Sequence, residues 1–246
     1  MINKPVFGIM QPYFFPYLGH FSLIAAVDEW LVFDITQYTP KTWMNRNRIL
    51  HPGDGWQYVS VPLANASISI KTSEARVLDP AAAFRSLTGK LSHYKRKAPY
   101  YDAVLHLVEE AFDDHDDSLV RLDVRGLAAV CRYLDIPFRY RICSELHLAL
   151  PDGLGPGEWA LEISDQLGAG SYLNPSSGQA LFDPVRFAER GIGLHFARPS
   201  EFVYRSGPYR YEPWLSVLDV LMWNPPNVVA RAAREHITIE PGRSAE

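Results

Sequence analysis

Val6-Phe-Gly-Ile-Met10, then Gln11-Pro-Tyr-Phe-Phe-Pro16-Tyr-Leu-Gly-His20, then Trp30-Leu-Val-Phe33-Asp34 follow one another near the head of the chain. Their order decides the fold. Val6–Met10 is an apolar run of strand length, ended by Gln11-Pro12. Pro16 opens a stretch whose apolar members are Leu18, Phe21, Leu23, Ile24 and Val27. It reads as a helix with the proline near its first turn, where a missing N–H costs nothing. Trp30–Phe33 is a second strand, closing on Asp34. Strand, helix, strand in so short a span is a βαβ unit. Ligands of such sheets sit outside the carboxyl ends of the strands, the places that Gln11 and Asp34 occupy.

The rest of the chain supports the same class. Residues 37–50 read as a loop carrying Gln37, Trp43, Asn45, Arg46 and Asn47, followed by the turn Pro52-Gly53-Asp54-Gly55. Residues 56–63 alternate as a strand, and 67–71 and 74–77 read as shorter ones. At Asp79-Pro80 the pattern becomes helical, with an N-cap aspartate before proline. One helix runs to about Arg96, a second restarts at Pro99-Tyr100-Tyr101, and a third runs from Ser118 to a stop at Pro137. Residues 138–142 are a strand, and 151–157 a glycine- and proline-rich loop. Helices at 158–167 and 184–190, each ended by a glycine, alternate with strands at 171–174 and 192–196. An apolar helix at 214–223 carries Asp219 and is closed by Pro225-Pro226. The expectation is an α/β protein with a mixed, mostly parallel sheet flanked by helices. It is one domain over residues 1–239, with a helical middle segment at 79–135 and a flexible tail at 240–246.

At 246 residues and 47% hydrophobic, the chain can bury a sizeable core. A formal net charge of −4 argues against a nucleic-acid partner. The two cysteines, Cys131 and Cys143, form no CxxC and suit a reducing compartment. Gln11, Pro12, Pro16 and His20 interrupt the apolar head of the chain as a signal peptide would not, and no run has the length of a membrane span. A soluble, cytoplasmic protein is expected. GxGxxG, GxxxxGK[ST], GxSxG and HExxH are all missing. The eight histidines form no metal-ligand pair, and Asp113-Asp114-His115-Asp116-Asp117 reads as a solvated helix connection. No metal and no cofactor are expected.

Ile9-Met-Gln-Pro-Tyr-Phe-Phe-Pro-Tyr-Leu-Gly-His-Phe21, with Asp34, Gln37-Tyr38 and Trp43-Met-Asn-Arg-Asn-Arg-Ile49, resembles the WbqC-like protein family. Weaker similarity continues at Lys97-Ala-Pro-Tyr-Tyr101, at Tyr172-Leu-Asn-Pro with Gly178 and Asp183, at Gly191-Ile-Gly-Leu194 and at 215–224. It departs at His20, where an aromatic such as tyrosine would be expected. The family is associated with bacterial surface-polysaccharide and nucleotide-sugar gene clusters. The resemblance therefore implies a transferase acting on an activated amino sugar, with N-acyl or aminoacyl transfer as the preferred reaction. The alternative is a non-catalytic module that binds a sugar nucleotide or an acyl or peptidyl carrier protein. Asp34 is the candidate base for a sugar amine, with His20 and His93 as further candidates. Gln11 offers amide donors and an acceptor to sugar hydroxyls. Arg46, between Asn45 and Asn47, can take a diphosphate or carboxylate in bidentate fashion. Tyr13, Trp43 and Tyr94 can stack or bond to a ring, and Gln37, Asn174 and Gly178 complete the expected ligand contacts.

Overall fold

A computed structural model of the protein describes residues 4–113 and 116–242. Asp114 and His115 of the acidic connection, and residues 243–246 of the expected tail, lie outside the described residues. The chain opens with β1 (Val6–Met10), α1 (Leu18–Ala25) and β2 (Glu29–Val32), the anticipated βαβ unit. A hairpin of β3 (Arg46–Leu50) and β4 (Trp56–Ser60) follows. The helical middle segment is α2 (Pro80–Leu91), α3 (Tyr101–Phe112) and α4 (Leu119–Tyr133). Next come β5 (Tyr140–Ile142), α5 (Glu158–Gln166), β6 (Ser171–Pro175), α6 (Pro184–Glu189) and β7 (Gly193–Pro199). The chain then forms α7 (Val217–Trp223), α8 (Pro226–Glu235) and β8 (Ile237–Pro241).

Six strands form one sheet in the order β5-β2-β1-β6-β7-β8. All neighbours are parallel except β7 and β8. Strands β1, β2 and β5 step outward on one side, and β6 and β7 on the other. The strand order therefore reverses between β1 and β6, which is the point where sheets of this kind open a crevice. Strand alternation sends Phe7 and Ile9 into one apolar cluster with Leu161, Ile163 and Phe187 of α5 and α6. The larger cluster lies on the other face. It joins α1, the inner side of the hairpin, the helical middle segment, α7 and α8.

Local chemistry explains most of the boundaries. Asp79 caps α2 by accepting from the Ala82 N–H at 2.9 Å, and Asp183 caps α6 from the Val185 N–H. Gly168 and Gly191 follow α5 and α6 with φ of +76° and +68°, values that favour glycine. Four expectations differ. Pro16 lies before α1 rather than in its first turn, because its carbonyl accepts from the Val217 N–H and ties the chain down first. The final residues of the expected 37–50 loop form β3, held by its pairing with β4. Residues 67–71 are a turn stitched by Ser67 and Ser69 hydroxyls, with a single Gln37–Lys71 bridge, and 74–77 contributes only isolated bridges. Beyond Pro225, Pro226 starts α8, and β8 runs through Glu240 and Pro241 of the expected tail. No helix among the described residues is long and apolar enough to cross a membrane.

Candidate functional site

The side chains of Asn45, Arg46, Asn47 and Arg48 all donate to backbone carbonyls. Asn45 Nδ2 reaches Val61 O at 3.0 Å, and Arg46 Nη2 reaches Lys41 O at 2.5 Å. Asn47 Nδ2 is shared between Phe14 O and Phe15 O, at 3.0 and 3.1 Å. Arg48 Nη2 reaches Trp214 O at 3.2 Å. Three of those acceptors belong to non-glycine residues in the left-handed region: Phe15 with φ +39°, Lys41 with +61° and Trp214 with +57°. Such backbone costs on the order of 1–3 kcal/mol each and persists only where its surroundings hold it. Consecutive residues of one strand hold all three. Ser216 adds a second bond to Phe15 O at 2.6 Å, and its own N–H goes to Arg48 O.

This stitching brings the opening block, β3 and the segment before α7 to one surface. Strand alternation turns Asn47 and Ile49 inward and Arg46 and Arg48 outward, next to Tyr58 and Trp56 of β4. The Arg48 guanidinium lies 5.1 Å from the Trp56 ring centre and 5.5 Å from that of Trp43, and Arg46 lies 4.4 Å from Tyr58. Trp214 packs edge-on against Tyr17 at 5.7 Å. Trp43, Trp56 and Trp214 remain 39%, 40% and 43% exposed, although large aromatics usually close such area against a core. Neither Arg46 nor Arg48 has a carboxylate partner among the described residues, whereas Arg76, Arg121, Arg141, Arg186 and Arg190 each face one.

Gln11 leaves the carboxyl end of β1 half-buried, with no hydrogen bond from its amide to any of the described residues. Tyr13, also half-buried, lies 5.4 Å from the His20 ring, and burial raises the pKa of its hydroxyl. The small void behind this surface, lined by Tyr17, Tyr204, Tyr211 and Trp214, measures about 20 Å3, enough for a water.

His20 and Asp34 are more enclosed than a working base requires. His20 is fully buried between Tyr13 and Trp30, with no partner at Nε2, and desolvation lowers its pKa from 6.5 to about 3. Asp34 is buried and accepts from the Ser144 N–H at 2.9 Å and the Ser144 hydroxyl at 2.6 Å. Desolvation raises its pKa, while the bonds from Ser144 oppose the shift. It lines a cavity of about 240 Å3 with Arg76, Arg121 and Ser144, in which Gln11, Arg46 and Asn174 take no part.

The remaining candidates are dispersed. His93 Nδ1 lies 2.7 Å from Lys90 O, and its ring packs against Tyr94 and Tyr209. Tyr94 is buried and donates to Asp219, which also accepts from Tyr204 Oη at 2.8 Å and the Leu50 N–H at 3.1 Å. Asn174 is occupied by Tyr172 Oη and Pro175 O. Gly178 is the close neighbour of that amide, where a Cβ would come within 2.6 Å of Nδ2. Exposed Gln37 donates to Ile68 O. The structure thus gathers Tyr13, Trp43, Arg46 and Asn47 around the opening block and leaves Asp34, His93, Tyr94, Asn174 and Gln37 elsewhere. Sequence reasoning passed over Arg48, Trp56 and Trp214. The i, i+2 spacing of Arg46 and Arg48, matched by Trp56 and Tyr58, was the available signal.

Among curated proteins the chain is similar to the uncharacterized protein Rv1507c of Mycobacterium tuberculosis. The two are 28% identical over 222 residues, covering 87% of this chain and 91% of the other. No solved structure matches the chain significantly. The family model for the WbqC-like protein family matches residues 11–231, from the Gln11 that ends β1 into α8, and the chain belongs to that family.

Proposed function

We propose that the protein is a transferase acting on a nucleotide-linked amino sugar in bacterial surface-polysaccharide biosynthesis, with N-acyl or aminoacyl transfer to the sugar amine as its reaction. The observation that carries this reading is the face built by Tyr17, Trp43, Arg48 and Trp214, where exposed indoles adjoin a guanidinium that has no carboxylate partner among the described residues. Indoles stack on sugar rings or bases, and guanidiniums take phosphates. The gene-cluster setting that the resemblance implies supports the substrate class. Asp34 lines a separate cavity and is engaged by Ser144, so on this reading it does not serve this face as the base. Incubation with amino-sugar nucleotides and acyl thioesters or aminoacyl donors, followed by mass spectrometry of the sugar nucleotide, tests it. A mass gain equal to the acyl or aminoacyl group is expected, and no gain with any amino sugar overturns it.

One observation favours a second reading, a module that binds a sugar nucleotide or carrier protein without chemistry. His20 is sealed in apolar surroundings, and Asp34 is already engaged by Ser144. Saturable binding without turnover in the same assay selects it.

A further inference from the structure

We infer that the outer face of the β3–β4 hairpin is a nucleoside diphosphate site, with Arg46 and Arg48 on the diphosphate and an exposed indole, Trp56 first, under the base. The inference rests on the reading above and assigns one part of its substrate, the nucleoside diphosphate, to the hairpin.

Charge is the first argument. Two cations stand two residues apart on the same face of one strand, about 6.8 Å along the strand by standard geometry. Neither is neutralised by a carboxylate among the described residues. Two cations on one face with no counter-charge among the described residues make a local positive field that attracts an anion. A diphosphate spans that separation and takes N–H groups from both guanidiniums. A monoanion satisfies one arginine and leaves the other as it was.

Shape is the second. Trp43, Trp56 and Trp214 surround Arg48, and each keeps about two-fifths of its surface in water. Every base has a flat face, and stacking one on an indole contributes about 1–3 kcal/mol. A neutral glycan would use the indoles but leave both charges unanswered. A free phosphate would use the charges but leave the indoles wet. A nucleoside diphosphate answers both.

Preorganisation is the third. Each guanidinium already spends one N–H on the carbonyl of a left-handed residue, Arg46 on Lys41 and Arg48 on Trp214. That bond fixes the long side chain before a ligand arrives, which lowers the entropy lost on binding. It leaves the other terminal N–H groups for the ligand, since a guanidinium has five donors.

The test is a titration of intrinsic tryptophan fluorescence of the full chain with UDP, ADP, inorganic pyrophosphate and uridine. At least one nucleoside diphosphate should quench saturably, pyrophosphate should bind more weakly, and uridine weaker still. Trp56→Ala and Arg48→Gln should each raise Kd roughly tenfold or more. If Arg48→Gln fails to fold, Trp56→Ala decides, since two-fifths of that side chain is in water and it lies outside both apolar cores. Absence of saturable binding by either nucleotide, pyrophosphate binding as tight as the nucleotides, or an unchanged Kd in the variants overturns the site. Transfer in the mass assay without diphosphate binding sinks this inference alone, and diphosphate binding without transfer sinks only the transferase reading.

Discussion

Strand β3 ends in one polar constellation and begins in another, and the two are finished differently. At its end, the Leu50 N–H and the hydroxyls of Tyr94 and Tyr204 converge on Asp219, a fully buried carboxylate with every arriving donor accounted for. Near its start, Arg46 and Arg48 are half-buried, bonded to carbonyls, without carboxylates among the described residues, beside exposed indoles. The first closes on itself and ties the end of β3 to the turn after α2, to α7 and to the segment before it. The second leaves charge and aromatic area to be used by something else. A buried polar group must find its partners within the fold, whereas a surface group without one is free for a ligand.

The sharpest way to break this contrast is Asp219→Ala. It strands the hydroxyls of Tyr94 and Tyr204 in the core, each worth about 1–3 kcal/mol when left unpaired, and leaves the Leu50 N–H only Tyr94 Oη, so a loss of roughly 3–5 kcal/mol is expected in urea unfolding. A loss under about 1 kcal/mol would return the network to the surface class. Second in size is the acid limb. Burial holds the pKa of the His20 imidazole down to about 3, against an ordinary value of 6.5. The unfolded chain therefore binds the proton first, and the stability contributed by neutral His20 is complete above pH 6.5 and declines as pH falls toward 3. Between pH 7 and 5 the decline is about 2 kcal/mol. His20→Phe should remove that much of the pH dependence, measured as the difference between the two unfolding profiles, and parallel profiles would place the imidazole in water.

Smaller effects belong to the open end. Arg48→Gln loses one charge-assisted bond to Trp214 O and costs about 1 kcal/mol of stability, read from the urea midpoint, while weakening diphosphate binding. Smallest is Trp56→Ala, expected to cost about 0.5 kcal/mol in the same melt because two-fifths of the side chain is already in water and it packs on Tyr58 and the Arg48 guanidinium at the surface of the hairpin. A destabilisation of several kcal/mol from either would make the hairpin face part of the core and remove the contrast.

Much of the sheet was legible because apolar periodicity and glycine stops are local. Val6–Met10, the helix after Tyr17 and the strand before Asp34 follow from residues that write their own structure. Strand β3 did not, because Asn45-Arg46-Asn47-Arg48 has the composition of a loop. What makes part of it a strand is its pairing with β4 and bonds to carbonyls at residues 15, 41, 61 and 214. Helix α8 was hidden for another reason: its buried face is Val229 with Ala230, Ala232 and Ala233, small side chains that raise no apolar signal. The candidate site was half legible. Trp43 and Arg46 stood out by type, but Trp214 joins them only through tertiary contacts. Asp219 revealed its need for partners without revealing Tyr94, 125 residues away.

The left-handed residues held by β3 also impose an order on assembly. Phe15, Lys41 and Trp214 are disfavoured where they stand until Asn47, Arg46 and Arg48 reach them, and Trp214 leaves the ribosome long after the other five. A nascent chain can complete the βαβ unit and the hairpin while Arg48 still lacks its carbonyl. The nucleotide face thus becomes whole only when the segment before α7 docks, so a partly made protein has no finished surface to offer a ligand.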